Sequence, residues 1–321
     1  MTPRPTSLRI ATFAIAALAA LLLAAPASGQ PLSEEGTVEE GSAAARGGDF
    51  ARAQRILDPL AAKGDANAQF NLGLLYEFGL RRPNDAALWY RRAAVVGHPE
   101  AENNLGALYQ EGRGVPRNIG EARRWYAVAA EHGHPPAQYN LALMVGRGQG
   151  QAANPAEMVK LMERAADSGY DRAQAQLGRL YLDGVGTGRD TAAALKWFTR
   201  AADQGNPWGQ YYLGSQLRRG EGIKRDLTTS IAWLEKSADQ GHVFALHDLA
   251  VAYELGLGVE ADNARSLDFY KKAGERDHRP AIERLTRVYT RGGLGQNPDP
   301  REARAWGQRL NAAARARPPE I

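Results

Sequence analysis

DRAQAQLGRLYLDGVGTGRDTAAALKWFTRAADQG, residues 171–205, is the stretch whose reading decides the fold. Ala173, Leu177 and Tyr181 recur at i, i+4 and i+8, with Leu180 beside them, so one side of a helix is apolar. Gly178 lies next to that stripe and lets a neighbouring helix approach. Gly184, Gly186 and Gly188 then interrupt any helix. Asp190 follows as an N-cap, because its carboxylate accepts from the free amides of a new helix. The second helix carries Ala194, Trp197, Phe198, Ala201 and Ala202 and stops at Gly205. The unit is helix, glycine loop, helix, tight turn.

The same unit recurs along the chain. Leu72, Leu105, Leu141, Leu177, Leu213, Leu249 and Leu285 mark seven copies, spaced by 36 residues except for a first step of 33. Gly64, Gly97, Gly133, Gly169, Gly205 and Gly241 keep the same steps, with Asp277 in the seventh place. Asn118, Asn154, Asp190, Asp226 and Asp262 repeat the cap, and Glu121 and Glu157 are placed to complete a capping box. A period of this length means stacked supersecondary units, each unable to bury its apolar face alone. The third copy, where Val145, Leu161 and Met162 replace aromatics, is expected to be the weakest junction. Trp89, Trp125, Trp197, Trp233 and Trp306 share one place in the second helix and are read as core, opposite the Leu-Gly pair.

Asn104-Leu105-Gly106, Tyr109, Gly112-Arg113-Gly114-Val115, Ala122, Trp125-Tyr126 and Ala129-Ala130 together resemble the Sel1-like repeat, a relative of the tetratricopeptide repeat with a longer loop. The resemblance implies an all-α chain: a right-handed α/α superhelical solenoid of about seven helix-loop-helix repeats with an N-terminal helical cap. The expected divisions are a secretory signal at 1–29, a linker at 30–41, a helical cap at 42–65, the solenoid at 66–310 and a tail at 311–321.

Arg4 and Arg9 precede a run from Ile10 to Ala25 that is apolar but for Thr12, and small residues follow. That is the layout of a secretory signal, cut after Ala27 or Gly29. The run falls short of the roughly 20 residues a membrane span needs. A periplasmic or secreted protein without a stable membrane anchor is therefore expected. Removing the segment takes two of the 40 basic residues and leaves 38 against 36 acidic. Near-neutral charge gives no concentrated stripe for nucleic acid. With no cysteine in the chain, disulfides and thiolate metal sites are excluded.

Chemistry is hard to find in these residues. The recurrent Gly-x-Gly loops follow a helix, not the strand a phosphate-binding loop requires. His98, His134, His242 and His278 keep the repeat phase, which reads as repeat grammar and not as a metal cluster. No Ser-x-x-Lys, Gly-x-Ser-x-Gly or His-Glu-x-x-His occurs. No catalytic residue, metal or cofactor is assigned.

Surface remains. At 100° per residue, the helix side next to the core stripe carries Trp208, Tyr211, Ser215 and Arg218 in the fifth copy. Phe244, His247, Val251 and Glu254 match them in the sixth. In the related tetratricopeptide architecture this side lines the concave, ligand-binding surface. Trp208, Tyr211, Arg218, Phe244 and His247 are accordingly the candidate partner-binding residues, since Trp, Tyr and Arg dominate interface hot spots. Asn71, Asn104 and Asn140 form a second candidate series, able to hold a peptide backbone or to tie neighbouring turns. The function expected is a non-catalytic adaptor that binds a protein or peptide. An envelope glycan ligand, or an envelope hydrolase of unrecognised signature, is the alternative.

Overall fold

The computed structural model describes residues 36–315, in which sixteen α-helices follow one another and no strand forms. Helices α1 (Val38–Arg46) and α2 (Phe50–Ala62) make an N-terminal pair. Seven A/B pairs follow: α3 (Ala66–Leu74) with α4 (Pro83–Val95), α5 (Pro99–Glu111) with α6 (Ile119–Glu131), and α7 (Pro135–Gly146) with α8 (Pro155–Asp167). Next come α9 (Asp171–Asp183) with α10 (Thr191–Asp203), α11 (Pro207–Arg219) with α12 (Leu227–Asp239), α13 (Val243–Leu255) with α14 (Asn263–Gly274), and α15 (Arg279–Arg291) with α16 (Pro300–Arg315). Each helix packs on the one before and the one after. Of helices two apart, those in closest contact are first helices of their pairs, α1 with α3, α3 with α5 and α9 with α11. The A helices are thus the tighter layer, the inside of the curve.

The caps act as their chemistry dictates. Asn118, Asn154, Asp190 and Asp226 each accept the amide three residues on, at 2.9–3.1 Å. The reciprocal half expected from Glu121 and Glu157 does not form; Glu157 takes the Asn154 side-chain amide instead. A complete capping box stands at Thr37 and Glu40, where Thr37 N donates to Glu40 Oε2 at 2.9 Å. That box starts α1 at Val38, inside the segment read as linker, so the cap is longer than 42–65. At the other end α16 runs on to Arg315, into the segment read as tail. The signal segment and its cut lie outside the described residues.

Two glycine positions explain the loop. Gly114 (φ 71°) brings its α-carbon so close to the first turn of α4 that a Cβ would meet Pro83 O at 2.1 Å. Gly186 (φ 74°) does the same to Pro155 O at 2.2 Å. The Gly-x-Gly loops are therefore contacts between repeats. At the closing turn Asp277 adopts φ 61°, the left-handed conformation its glycine counterparts take.

The core corrects one reading. In the first, second, fourth and fifth copies the residue after the Trp, not the Trp itself, faces the Leu-Gly pair: Tyr90 on Gly73, Tyr126 on Gly106, Phe198 on Gly178 and, without a ring, Leu234 on Gly214. All three rings are fully buried. Trp89, Trp125, Trp233 and Trp306 are half-buried, and Trp197 alone of the five is buried. A cation covers several of them, Arg92 over Trp89 at 4.5 Å and Lys236 over Trp233 at 4.0 Å. One position along a helix turns the side chain 100°, which moves the Trp from the A/B seam to its outer rim. The third copy is not thinly packed either. Met144 and Met162 are fully buried, and the Met158 sulfur fills the space beside Gly146. The least apolar core is in the fifth copy, where Gln210, Ser215, Gln216, Ser230 and Ser237 are buried. Ser230 and Ser237 satisfy their hydroxyls on Gly214 O and Pro207 O, both at 2.7 Å.

Candidate functional site

The A helices of copies five and six bring their aromatic residues together. Trp208, on the first turn of α11, meets the His242 ring edge to face at 4.4 Å and Phe244 at 6.0 Å. Tyr211 lies 4.8 Å from His242 and 5.8 Å from Phe244. Phe244 continues to His278 at 5.4 Å, and His247 lies 4.8 Å from His278 and 5.8 Å from Tyr270. On the other side Trp208 stacks towards Tyr212, which stacks on Phe198 at 4.7 Å. The result is a continuous strip of rings that crosses the inner face and ends at both sides on buried rings of second helices, Phe198 and Tyr270. Trp208 is 43% exposed and Phe244 40%.

His242 and His278, Tyr212 and Tyr270 were missed as members of this strip. Their signal was present in the sequence. In several copies the fifth residue of one A helix contacts the N-cap residue of the next: Phe70 with His98, Tyr139 with Tyr170, Tyr211 with His242, His247 with His278. The histidines that looked like turn grammar are helix caps whose rings build the face. His242 Nδ1 accepts from Ala245 N at 3.3 Å, which places its proton on Nε2. Burial then pushes the His242 imidazole down to about 4, and burial together with His247 pushes His278 down to about 4. Tyr211 is pushed up to about 12 by burial and by the nearby Asp248 carboxylate. His242, His278 and Tyr211 are thus neutral at ordinary pH.

The other candidates are tied down within the fold. Arg218 Nη2 donates to Asp248 Oδ2 at 2.9 Å across the junction of copies five and six. Glu254 and Arg284 repeat this pair 36 residues on with the charges exchanged. Arg218 is therefore a structural rung, and His247 Nδ1 stands 3.7 Å from the same Asp248. Asn71 accepts from the Ser42 hydroxyl at 2.7 Å and donates to Asn67 O in its own helix. Asn104 accepts from Asn103, which accepts in turn from Asn140 at 3.0 Å. The amide series joins neighbouring A helices, which accounts for it without a peptide.

No described helix is long and apolar enough to cross a membrane. Nor do three metal-ligating side chains gather among the described residues.

Comparison with known proteins places the chain. The Sel1 repeat model matches residues 66–95, 99–134, 135–170, 171–206, 209–242, 243–278 and 288–311. The chain belongs to the Sel1 repeat family. Its fold is similar to a Sel1 repeat protein from Oxalobacter formigenes, at 29% identity and a TM-score of 0.71, covering 79% of this chain and 99% of that one. It is also similar to a protective antigen of uropathogenic Escherichia coli with an SLR fold, at 27% identity and a TM-score of 0.72, covering 87% of this chain and 62% of the antigen. A segment of 64 residues is 42% identical to the ERAD-associated E3 ubiquitin-protein ligase component HRD3A of Arabidopsis thaliana. That segment is 19% of this chain and 9% of the plant protein. Proteins built from this repeat typically mediate protein–protein interactions on a non-catalytic scaffold.

Proposed function

We propose that this chain is an exported, non-catalytic adaptor that binds a protein or peptide segment on its concave face, with the strip from Trp208 to His247 as the contact. The single observation that carries the reading is the exposure of Trp208 and Phe244 side by side on the inner layer. The repeat does not require a large ring there, because Asn67, Glu100, Pro136 and Arg172 hold the same place in other copies. A ring already held by its neighbours loses little freedom on binding, so more of its buried area becomes affinity. Export rests on the Arg4–Gly29 signal layout.

The test is the double variant Trp208→Ala/Phe244→Ala in the mature protein. It should abolish capture of the partner obtained by crosslinking in the native envelope, with helicity retained. Hot-spot truncation costs about 2 kcal/mol or more of binding for each residue. Undiminished capture by a folded double variant would overturn the assignment. Loss of binding to cell-wall glycan with protein capture intact would favour the glycan reading instead.

A further inference from the structure

The residues around the aromatic strip carry a charge pattern that says what kind of segment fits. On the inner face of copies five and six the carboxylates are neutralised within the fold: Asp248 by Arg218 at 2.9 Å, and Glu254 by Arg284. The exposed apolar surface there is Trp208 with Phe244. Arginines stand on both sides of it. Before the strip come exposed Arg147 and half-buried Arg179, the latter bonded to the Tyr212 phenol. They hold in copies three and four the places that Leu255 and Ser215 take later, with Asp183 at the end of the Arg179 helix. After it, Arg287 and Arg291 lie exposed on α15. Among the described residues no carboxylate is within ion-pair distance of Arg147, Arg179 or Arg287. The field of the first group is felt locally: burial pushes the Tyr139 phenol up, and Arg172, Arg147 and Arg179 all pull it back down.

We propose that the concave face takes an acidic segment with a large apolar anchor: the anchor sits on Trp208 and Phe244, and carboxylates on either side meet Arg147 and Arg287. This rests on the peptide-binding reading of the same face and narrows it to one chemistry. The chain as a whole is close to neutral without its first 29 residues, so the preference comes from placement, not from net charge. Charge complementarity of this kind sets specificity and association rate more than affinity.

Fluorescence polarisation on the mature protein tests it with three labelled peptides of one length. One carries a central Phe-Leu between runs of Asp and Glu, the second replaces the acids by Ser, and the third replaces them by Lys. The acidic peptide should bind about tenfold tighter than the Ser peptide at low salt, and the advantage should shrink as salt rises. Arg147→Glu/Arg287→Glu, two exposed positions, should remove that advantage and leave the Ser peptide unaffected. Trp208→Ala/Phe244→Ala should weaken both peptides. Equal binding of the three peptides, tighter binding of the Lys peptide, no binding of the acidic one, or an acidic advantage that survives the charge reversal would each overturn the proposal. If aromatic-dependent capture of a native partner persists in any of those cases, the broader reading of the face stands while the acidic preference falls.

Discussion

Glu102 is the one carboxylate in a series of buried amides, and replacing it with Gln should stabilise the array. Its counterparts Gln69, Gln138 and Gln174 donate Nε2 to Ala61 O, Ala130 O and Ala166 O, eight residues back, at 3.0–3.2 Å. By the same spacing Glu102 faces Ala94 O, an acceptor to which a carboxylate has nothing to donate. It is fully buried, and its Oε1 has no hydrogen-bond partner. Its Oε2 pairs with His132 Nδ1 at 2.9 Å. In the fourth copy Gln174 makes both bonds at once, donating to Ala166 O and accepting from Gln204, which occupies the place of His132. Glu102→Gln should reproduce that arrangement. Satisfying a buried orphan oxygen is worth about 1–3 kcal/mol. Losing the charge on a bond to a partly exposed histidine costs up to about 1 kcal/mol. The net is a gain of about 1 kcal/mol, or roughly 2–4 °C for a unit of this size. Thermal unfolding, with hydrogen exchange read on α5 and α6, checks both size and place. A lower melting temperature, or slower exchange far from these helices and none within them, would refute the reasoning.

Tyr126→Ala should cost about 3–5 kcal/mol in denaturant unfolding, as large-to-small core changes do, and Trp125→Ala no more than about half of that; equal costs would mean the seam has been assigned to the wrong residue. Gly114→Ala should destabilise by more than about 1 kcal/mol, since it adds a Cβ where both φ and Pro83 O forbid one; an unchanged midpoint would show that the loop does not press on α4. His242 is held neutral in the fold, so its contribution is fully present above about pH 6.5 and is lost as the pH falls towards 4, a loss of roughly 3 kcal/mol. A melting temperature that stays flat between pH 7 and 4.5 would contradict the burial of that ring. Hydrogen exchange should be fastest, among the helices of the inner copies, in α11 and α12, where the buried serines and glutamines replace apolar contacts; faster exchange in α7 and α8 would restore the third copy as the weak junction.

The architecture was legible because it depends on spacing. A 36-residue step, a cap at Asn118 and its successors, and a glycine at each closing turn are local demands of helix ends, visible without coordinates. Rotation about the helix was harder. Trp and Tyr are adjacent at 125 and 126, and both are plausible core; only Gly106, beneath the Tyr126 ring, decides between them. The face with Trp208, Phe244 and His247 was readable from spacing along one helix, whereas His242 and His278, although in repeat phase, were not readable that way. They belong to the N-cap of the next A helix, so their place on the face depends on how one repeat seats on another. Arg218 misled for a related reason: its partner Asp248 is 30 residues away, and cross-repeat pairing is invisible along a single helix. The linker boundary failed because Thr37 and Glu40 form a capping box ahead of a short helix of small and polar residues, with Val38 its one large apolar side chain.

The central claim, that the inner face at copies five and six holds a protein partner, is tested most directly by site-specific photocrosslinking. A photoreactive phenylalanine placed at Phe244 would sit on the aromatic strip, one at Leu255 at the far end of the same helix, and one at Leu88 or Val95 exposed on the second helix of the first copy. Probes at 244 and 255 should capture the same partner in the native envelope, and probes at 88 and 95 should not. Capture from 88 or 95 with none from 244 and 255 would contradict the account.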